Sequence, residues 1–346
     1  MKKNQLFNKV SKKELKLALS NEPFDRITAS FYHYVDIASP IDLRDELYLK
    51  WDKMKVFGRV YISYEGVNAQ ISIPEQNWKK FHAHLHEIDE LRNTPIKQAL
   101  QDGDSFYKLT IKVRNELVAY GVPKGSYDMG KVGKHLSAKE YNNALDDPNS
   151  IIVDMRNYYE SEIGHFEGAL IPEVETSKEL LPEVRRLLRG RENDKVLLYC
   201  TGGIRCEKAS SYLMHNGFKD VNQLQGGIIQ YAHEIREEGL DSKFKGKNFV
   251  FDDRLGERVT NDVIATCHVC GVPCDDHTDC KNDACHILFI QCKECDKNLK
   301  GCCSKECLDF ASLPMEKQKE LRKDPNRIIS RTFFDSRIKP RLNSKI

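Results

Sequence analysis

The chemistry this sequence can do is concentrated in its twelve cysteines, and they are unevenly placed. None precedes Cys200; Cys200 and Cys206 bracket a short loop, and all the others fall between Cys267 and Cys307. Cys200 follows Lys195-Val196-Leu197-Leu198-Tyr199, which reads as a buried strand, and a helix is expected from Glu207 to Asn216. In an open parallel sheet, ligands bind beyond the C-terminal ends of the strands. Between strand and helix lie Thr201, Gly202, Gly203, Ile204 and Arg205. The two glycines allow backbone angles that a Cβ resists, so the loop can curl with its N–H groups inward and form an anion-binding nest. The helix start adds unpaired N–H groups and partial positive charge, and Arg205 adds a permanent cation. All of this favours thiolate over thiol, so Cys200 is the candidate catalytic nucleophile, and its cradle would also hold a persulfide. The plainer reading is a structural cysteine before a helix. Cys206 is a candidate resolving thiol; its plainer role is packing.

The second cluster has metal-ligand spacing. Cys267-His268-Val269-Cys270 and Cys292-Lys293-Glu294-Cys295 are two Cys-x-x-Cys turns, each able to aim two thiolates at one tetrahedral ion. They form the first expected site. A second would draw on Cys274, Cys280, Cys285, Cys302, Cys303 and Cys307, with His277 or His286 as alternatives. So short a region builds little core, and two structural Zn²⁺ ions would replace the missing burial. Disulfides and an iron–sulfur cluster are the competing readings. The first 199 residues lack cysteine, and the basic N-terminus is not followed by an apolar core, so a reducing cytoplasm is expected.

These sites need elements to position them. The chain has 346 residues, 40% hydrophobic and 31% charged, the balance of a globular protein with more than one domain. No apolar run is long enough to span a membrane. From Phe24 to Val122 the pattern reads β-α-β-β-α-β, with strands at Ile27–Val35, Val56–Ser63, Ala69–Ile73 and Tyr107–Val113. That order suggests a ferredoxin-like α/β sandwich over residues 1–122. A connector (123–136) leads to strands alternating with helices over 137–240, the pattern of a parallel sheet covered by helices. The cysteine-rich region covers 241–312. The remainder, 313–346, is a basic tail: from Leu321 on, Arg322, Lys323, Arg327, Arg331, Arg337, Lys339, Arg341 and Lys345 stand against two aspartates. These are candidate RNA-phosphate contacts, or else solvated charges on an extended arm. The net charge of +2 argues neither way.

Residues 137–240 resemble a rhodanese domain. Cys200-Thr201-Gly202-Gly203-Ile204-Arg205 is similar to its six-residue active-site loop. Asp154-Met155-Arg156, Gly164-His165-Phe166-Glu167-Gly168-Ala169 and Leu224-Gln225-Gly226-Gly227-Ile228 resemble its other signatures, in the same order. By that analogy Asp154, Arg156 and His165 support the scaffold. Over nearly its whole length the chain resembles the bacterial rhodanese-domain tRNA uridine hydroxylases. That wider resemblance is carried by Glu65-Gly66-Val67-Asn68, the extended loop through Ala209, Gly246–Asp252 and Cys285–Cys292. It implies oxygen-dependent conversion of the wobble uridine of tRNA to 5-hydroxyuridine, with Cys200 reactive, molecular oxygen as co-substrate and the anticodon loop as partner. No flavin, haem or mononuclear iron motif accompanies it, and neither the electron donor nor the oligomeric state is specified. A sulfurtransferase carrying sulfur as a Cys200 persulfide, charged by a sulfur donor, is the alternative enzyme. A noncatalytic zinc-dependent RNA-binding module is the alternative of another class.

Overall fold

The structure is a computed structural model that describes residues 6, 8, 10–123 and 125–323. The chain divides into two compact units, Met1–Ile151 with Leu188–Asp241 and Phe251–Arg254, and Ile152–Leu187 with Ser242–Val250 and Leu255–Ile346. The expected segment 137–240 thus contributes to both.

The first unit opens with α1 (Lys12–Ser20), β1 (Arg26–Tyr34), α2 (Pro40–Lys53), β2 (Phe57–Ser63), β3 (Gly66–Pro74), α3 (Trp78–Glu87), β4 (Lys97–Gln98) and β5 (Leu109–Val113). The five strands form one sheet in the order β4-β1-β3-β2-β5. Helices α2 and α3 are amphipathic at helical spacing. Leu43, Leu47 and Trp51 line one face of α2, Phe81 and Leu85 one face of α3, and all are buried with Phe31, Val60, Ile62, Val67, Ala69, Ile71 and Ile73 of the sheet. The Trp51 ring lies 5.1 Å from that of Phe81. The strand beside β1 is not the expected Tyr107–Val113. It is β4, a two-residue edge, while β5 runs parallel to β2 on the opposite side. Two polar residues carry no alternation from which a strand could be read.

The first unit continues with β6 (Lys134–Leu136) and α4 (Ala138–Leu145). Ser137 caps α4, exchanging hydrogen bonds with Glu140. The chain then passes through β7 (Ile151–Asp154), α5 (Tyr158–Ser161), β8 (Gly164–Phe166) and α6 (Ser177–Leu187). It returns to the first unit as β9 (Lys195–Tyr199), α7 (Ile204–His215), β10 (Asp220–Leu224) and α8 (Gly227–Glu238). There β10 pairs in parallel with β6 on one side and β9 on the other. Helix α7 starts three residues before the expected Glu207, directly after Gly203, whose φ of 101° turns the chain out of the strand.

The second unit contains β11 (Phe244–Asn248), antiparallel to β8 and to β12 (Glu257–Arg258). It closes with a hairpin, β13 (His277–Asp279) and β14 (Leu288–Ile290), and with α9 (Lys293–Leu299), α10 (Lys305–Ala311) and α11 (Met315–Arg322). Among the described residues no helix is long and apolar enough to cross a membrane. Of the basic tail, Arg322 ends α11 and bonds Gln318, and Lys323 is exposed. Arg327, Arg331, Arg337, Lys339, Arg341 and Lys345 lie outside the described residues.

Candidate active site and metal-binding cysteines

Cys200 is the residue that follows β9, and its side chain is fully buried. The backbone is pinned on both sides of it. The N–H groups of Ile228 and Ile229, at the start of α8, donate to the carbonyls of Cys200 and Thr201 at 2.9 and 3.2 Å. This approach requires Gly227, because a Cβ there would stand 2.5 Å from the Cys200 carbonyl oxygen. The Gly203 N–H donates to the Cys200 sulfur at 3.1 Å. The thiol and the backbone N–H of Cys206 meet the same sulfur. Arg205 bonds the Thr201 hydroxyl at 3.2 Å and lies 5.8 Å from the Phe251 ring.

Burial alone would push the Cys200 thiol up. The Cys206 thiol, the Arg205 charge and the N–H groups of Cys206 and Gly203 outweigh it and bring Cys200 down to about 5. Cys206 moves the other way: burial and the neighbouring Cys200 sulfur hold it well above the ordinary thiol range. At neutral pH the pair is a thiolate with a thiol donor beside it. The chain therefore folds its loop into a preorganised site for a sulfur anion.

The N-terminal sheet reaches this loop. Lys97 of β4 donates to the Gly202 carbonyl at 2.9 Å, Tyr34 to that of Ile204 at 3.2 Å, and Tyr120 to that of Arg205 at 3.0 Å. Glu207, in the first turn of α7, accepts from Tyr32, His135 and Gln223 at 3.3, 2.7 and 3.1 Å. The bond to Glu207 raises the pKa of His135. At the next position, Lys208 is wholly buried and pairs with Glu65 at 3.2 Å and Glu116 at 2.9 Å. Sequence reasoning placed Glu65 and Lys208 within notable motifs but did not join them. It missed Tyr32 and Lys97 as parts of the site, since nothing local ties them to Cys200, and it held Glu207 only as a member of the loop motif.

In the second unit Asp154 and Arg156 form a fully buried bidentate pair at 2.8 and 2.7 Å. Arg156 also donates to the Gly164 carbonyl at 2.6 Å, and Ser161 to Asp154 at 2.8 Å. His165 Nδ1 donates to the Ser161 carbonyl at 2.9 Å. The end of β7, the short helix α5 and β8 are thereby tied together, and breaking such a pair costs about 3–5 kcal/mol.

The same unit gathers its cysteines into two groups of four, Cys267, Cys270, Cys292 and Cys295, and Cys280, Cys285, Cys303 and Cys307, with all sulfurs of a group within 4.8 Å of one another. Cys270 and Cys292 are 3.7 Å apart, Cys285 and Cys303 3.7 Å, and Cys303 and Cys307 3.6 Å. Four thiolates about 2.3 Å from one tetrahedral ion stand roughly 3.8 Å apart, so the donor sets fit such an ion. The Cys292 and Cys303 N–H groups donate to the sulfurs of Cys267 and Cys280. Of the remaining candidates, Cys274 and Cys302 are buried outside both groups. His277 packs edge-on against Phe249 at 5.2 Å, and His286 occupies a left-handed turn with φ 51°. Neither histidine joins a group.

Three families match successive parts of the chain: "UPF0176 acylphosphatase like domain" over residues 26–117, "Rhodanese-like domain" over 137–234 and "Rhodanase C-terminal" over 245–308. Among curated proteins, the tRNA uridine(34) hydroxylase of Leptospira interrogans is 50% identical over 99% of this chain and 93% of its own length. Those of Photorhabdus laumondii and Enterobacter sp. are 50% and 46% identical, over 92% and 99% of this chain and 91% and 97% of their own lengths. With that identity over essentially its whole length, the chain belongs to the tRNA uridine(34) hydroxylase family.

Proposed function

We infer that this protein is an enzyme that hydroxylates carbon 5 of uridine 34, the wobble position of tRNA, and that Cys200 is its catalytic residue. The observation that carries the reading is a buried sulfur held as an anion, within a chain that shares half its residues with proteins named for this reaction. The wobble base lies in a single-stranded loop and can be turned out to reach such a sulfur. Adding the Cys200 thiolate to carbon 6 forms a C–S bond and moves an electron pair towards carbon 5. Carbon 5 then takes up an electrophilic oxygen species, derived from molecular oxygen and an external electron donor. Loss of the carbon 5 proton expels the thiolate and restores the ring as 5-hydroxyuridine. A Cys200 persulfide reacting with oxygen is the other route that the cradle accommodates. In this scheme Thr201, Gly202, Gly203, Ile204 and Arg205 hold the anion, and Asp154, Arg156 and His165 support the scaffold.

The finer architecture follows the same reading. Residues 1–122 are a ferredoxin-like domain, supported by its strand order. Residues 137–240 are the rhodanese domain, and 241–312 bind two Zn²⁺ ions through the two groups of four thiolates. The sulfur separations and all-cysteine donor sets support zinc, which would stabilise this region rather than take part in the reaction. The anticodon loop is the partner, and a reducing cytoplasm the setting.

A persulfide cradle equally serves sulfur transfer, which is the second reading. Nucleoside mass spectrometry of tRNA from cells lacking the protein separates the two. Wild type is expected to restore 5-hydroxyuridine and Cys200→Ser to restore none. An unchanged nucleoside profile on deletion would favour sulfur transfer, and full activity of Cys200→Ser would overturn the role of Cys200.

A further inference from the structure

We propose that Lys97 is a positioning residue for the Cys200 sulfur, so that the N-terminal sheet is part of the reactive centre. It rests on Cys200 being the reactive group and does not depend on the identity of the substrate.

The case begins with reach. Lys97 lies on the shortest strand of the N-terminal sheet, yet its ammonium donates to the carbonyl of Gly202, 105 residues away in sequence. Its stem passes close to the turn before α8, where a Cβ on Gly226 would stand 3.0 Å from Lys97 Cε. The ammonium sits 4.7 Å over the ring of Tyr32. The Tyr32 hydroxyl in turn lies 2.7 Å from the place of a Cβ on Gly203. Gly202 and Gly203 share a peptide group. A donor fastened to the Gly202 carbonyl therefore orients the Gly203 N–H, which points the opposite way, at the Cys200 sulfur. A lone flexible Gly-Gly loop would have no reason to hold that orientation.

Charge reinforces the geometry. Burial lowers Lys97 to about 8, and the attraction of Cys200 and Glu207 opposes the fall, so the side chain is mainly an ammonium at neutral pH. The groups facing Cys200 are Arg205 and Cys206 from its own loop and helix, Lys97 from β4 and Tyr32 from β1. Tyr32 stays a neutral phenol, because burial and the nearby Glu207 raise it. Lys97 thus joins Arg205 as a cation of the site, and the N-terminal sheet supplies it.

The test uses the full chain. Reaction of Cys200 with iodoacetamide is followed by peptide mass spectrometry across pH in wild type, Lys97→Met, Lys97→Gln and Lys97→Arg. The wild-type midpoint is expected near 5. Loss of the charge should raise it by about one pH unit, and Lys97→Arg should restore most of the difference. In hydroxylation, kcat of Lys97→Met should fall about tenfold or more with little change in KM for tRNA, because the reacting atom is displaced. If Lys97→Met does not fold, Lys97→Gln, which keeps a donor but no charge, gives the same rise in midpoint, while its kcat stays nearer wild type. A wild-type midpoint in the folded charge-free variant overturns the proposal. A raised midpoint in a protein that does not hydroxylate tRNA keeps it and overturns the function proposed above.

Discussion

At the scale of single residues, the sulfur of Cys200 is set by what donates to it. Two backbone N–H groups and one thiol converge on an atom that burial alone would keep protonated. Its thiolate fraction is therefore full at neutral pH and is lost as pH falls through about 5. Cys206 is held as a thiol partly by the neighbouring anion. If peroxide oxidises Cys200 to a sulfenic acid, that anion is gone and the Cys206 thiol ionises more readily. Its sulfur can then attack Cys200, form a disulfide and release water. We expect peptide mass spectrometry of peroxide-treated protein to show a Cys200–Cys206 disulfide that dithiothreitol reverses. Cys206→Ser, which keeps a donor, should give irreversible sulfinic acid at Cys200 instead. Sulfinic acid in both proteins would leave Cys206 a hydrogen-bond donor only.

At the scale of elements, the N-terminal sheet and the α7 helix are joined by partly buried polar pairs. Lys208 has no exposed surface and depends on Glu65 and Glu116, which follow β2 and β5, for compensation of its charge. That gives the Glu65-Gly66-Val67-Asn68 motif a structural reason, since Glu65 also accepts from the Leu117 N–H and the Tyr127 hydroxyl. The cysteine-rich unit is organised around sulfur in a similar way. Ile287 and Phe289 are buried beside Cys280, Cys285, Cys302, Cys303 and Cys307, a small apolar cluster to which a bound metal ion would add stability. Elemental analysis of the purified protein should find two zinc ions per chain. Cys280→Ser should lose one ion and Cys274→Ser none, with chelation lowering the melting temperature of both. Loss of an ion from Cys274→Ser would show that the ligand sets are assigned wrongly.

At the scale of the molecule, the reaction requires a tRNA to be held while one base is presented. The basic residues beyond Leu321 are the clearest candidates for phosphate binding in the sequence. Removing residues 324–346 is expected to weaken tRNA binding and to flatten its dependence on salt. The log–log slope should shrink by about 0.7–0.9 for every phosphate that the tail had neutralised. Iodoacetamide reactivity of Cys200 should stay as in wild type. Binding with an unaltered salt slope would assign those charges to solvent.

Local patterns were enough to locate much of this protein. The apolar run from Val196 to Tyr199 marked β9, because that strand is buried on both faces. The Gly-Gly loop after a strand marked Cys200 as a candidate site, because its backbone freedom and its charges are both written in adjacent residues. The Cys-x-x-Cys turns named Cys267, Cys270, Cys292 and Cys295 as one set, and the structure brings those four sulfurs together. What the sequence left open lies across long separations. Which four of the remaining cysteines converge depended on the β13–β14 hairpin, and it selected Cys280, Cys285, Cys303 and Cys307 over Cys274 and Cys302. Edge strand β4 is too short to alternate, so Lys97 gave no sign of where it would go. Its arrival at Gly202, and that of Tyr32 beside Gly203, is decided by how sheet and loop pack, a meeting of residues that share no local pattern.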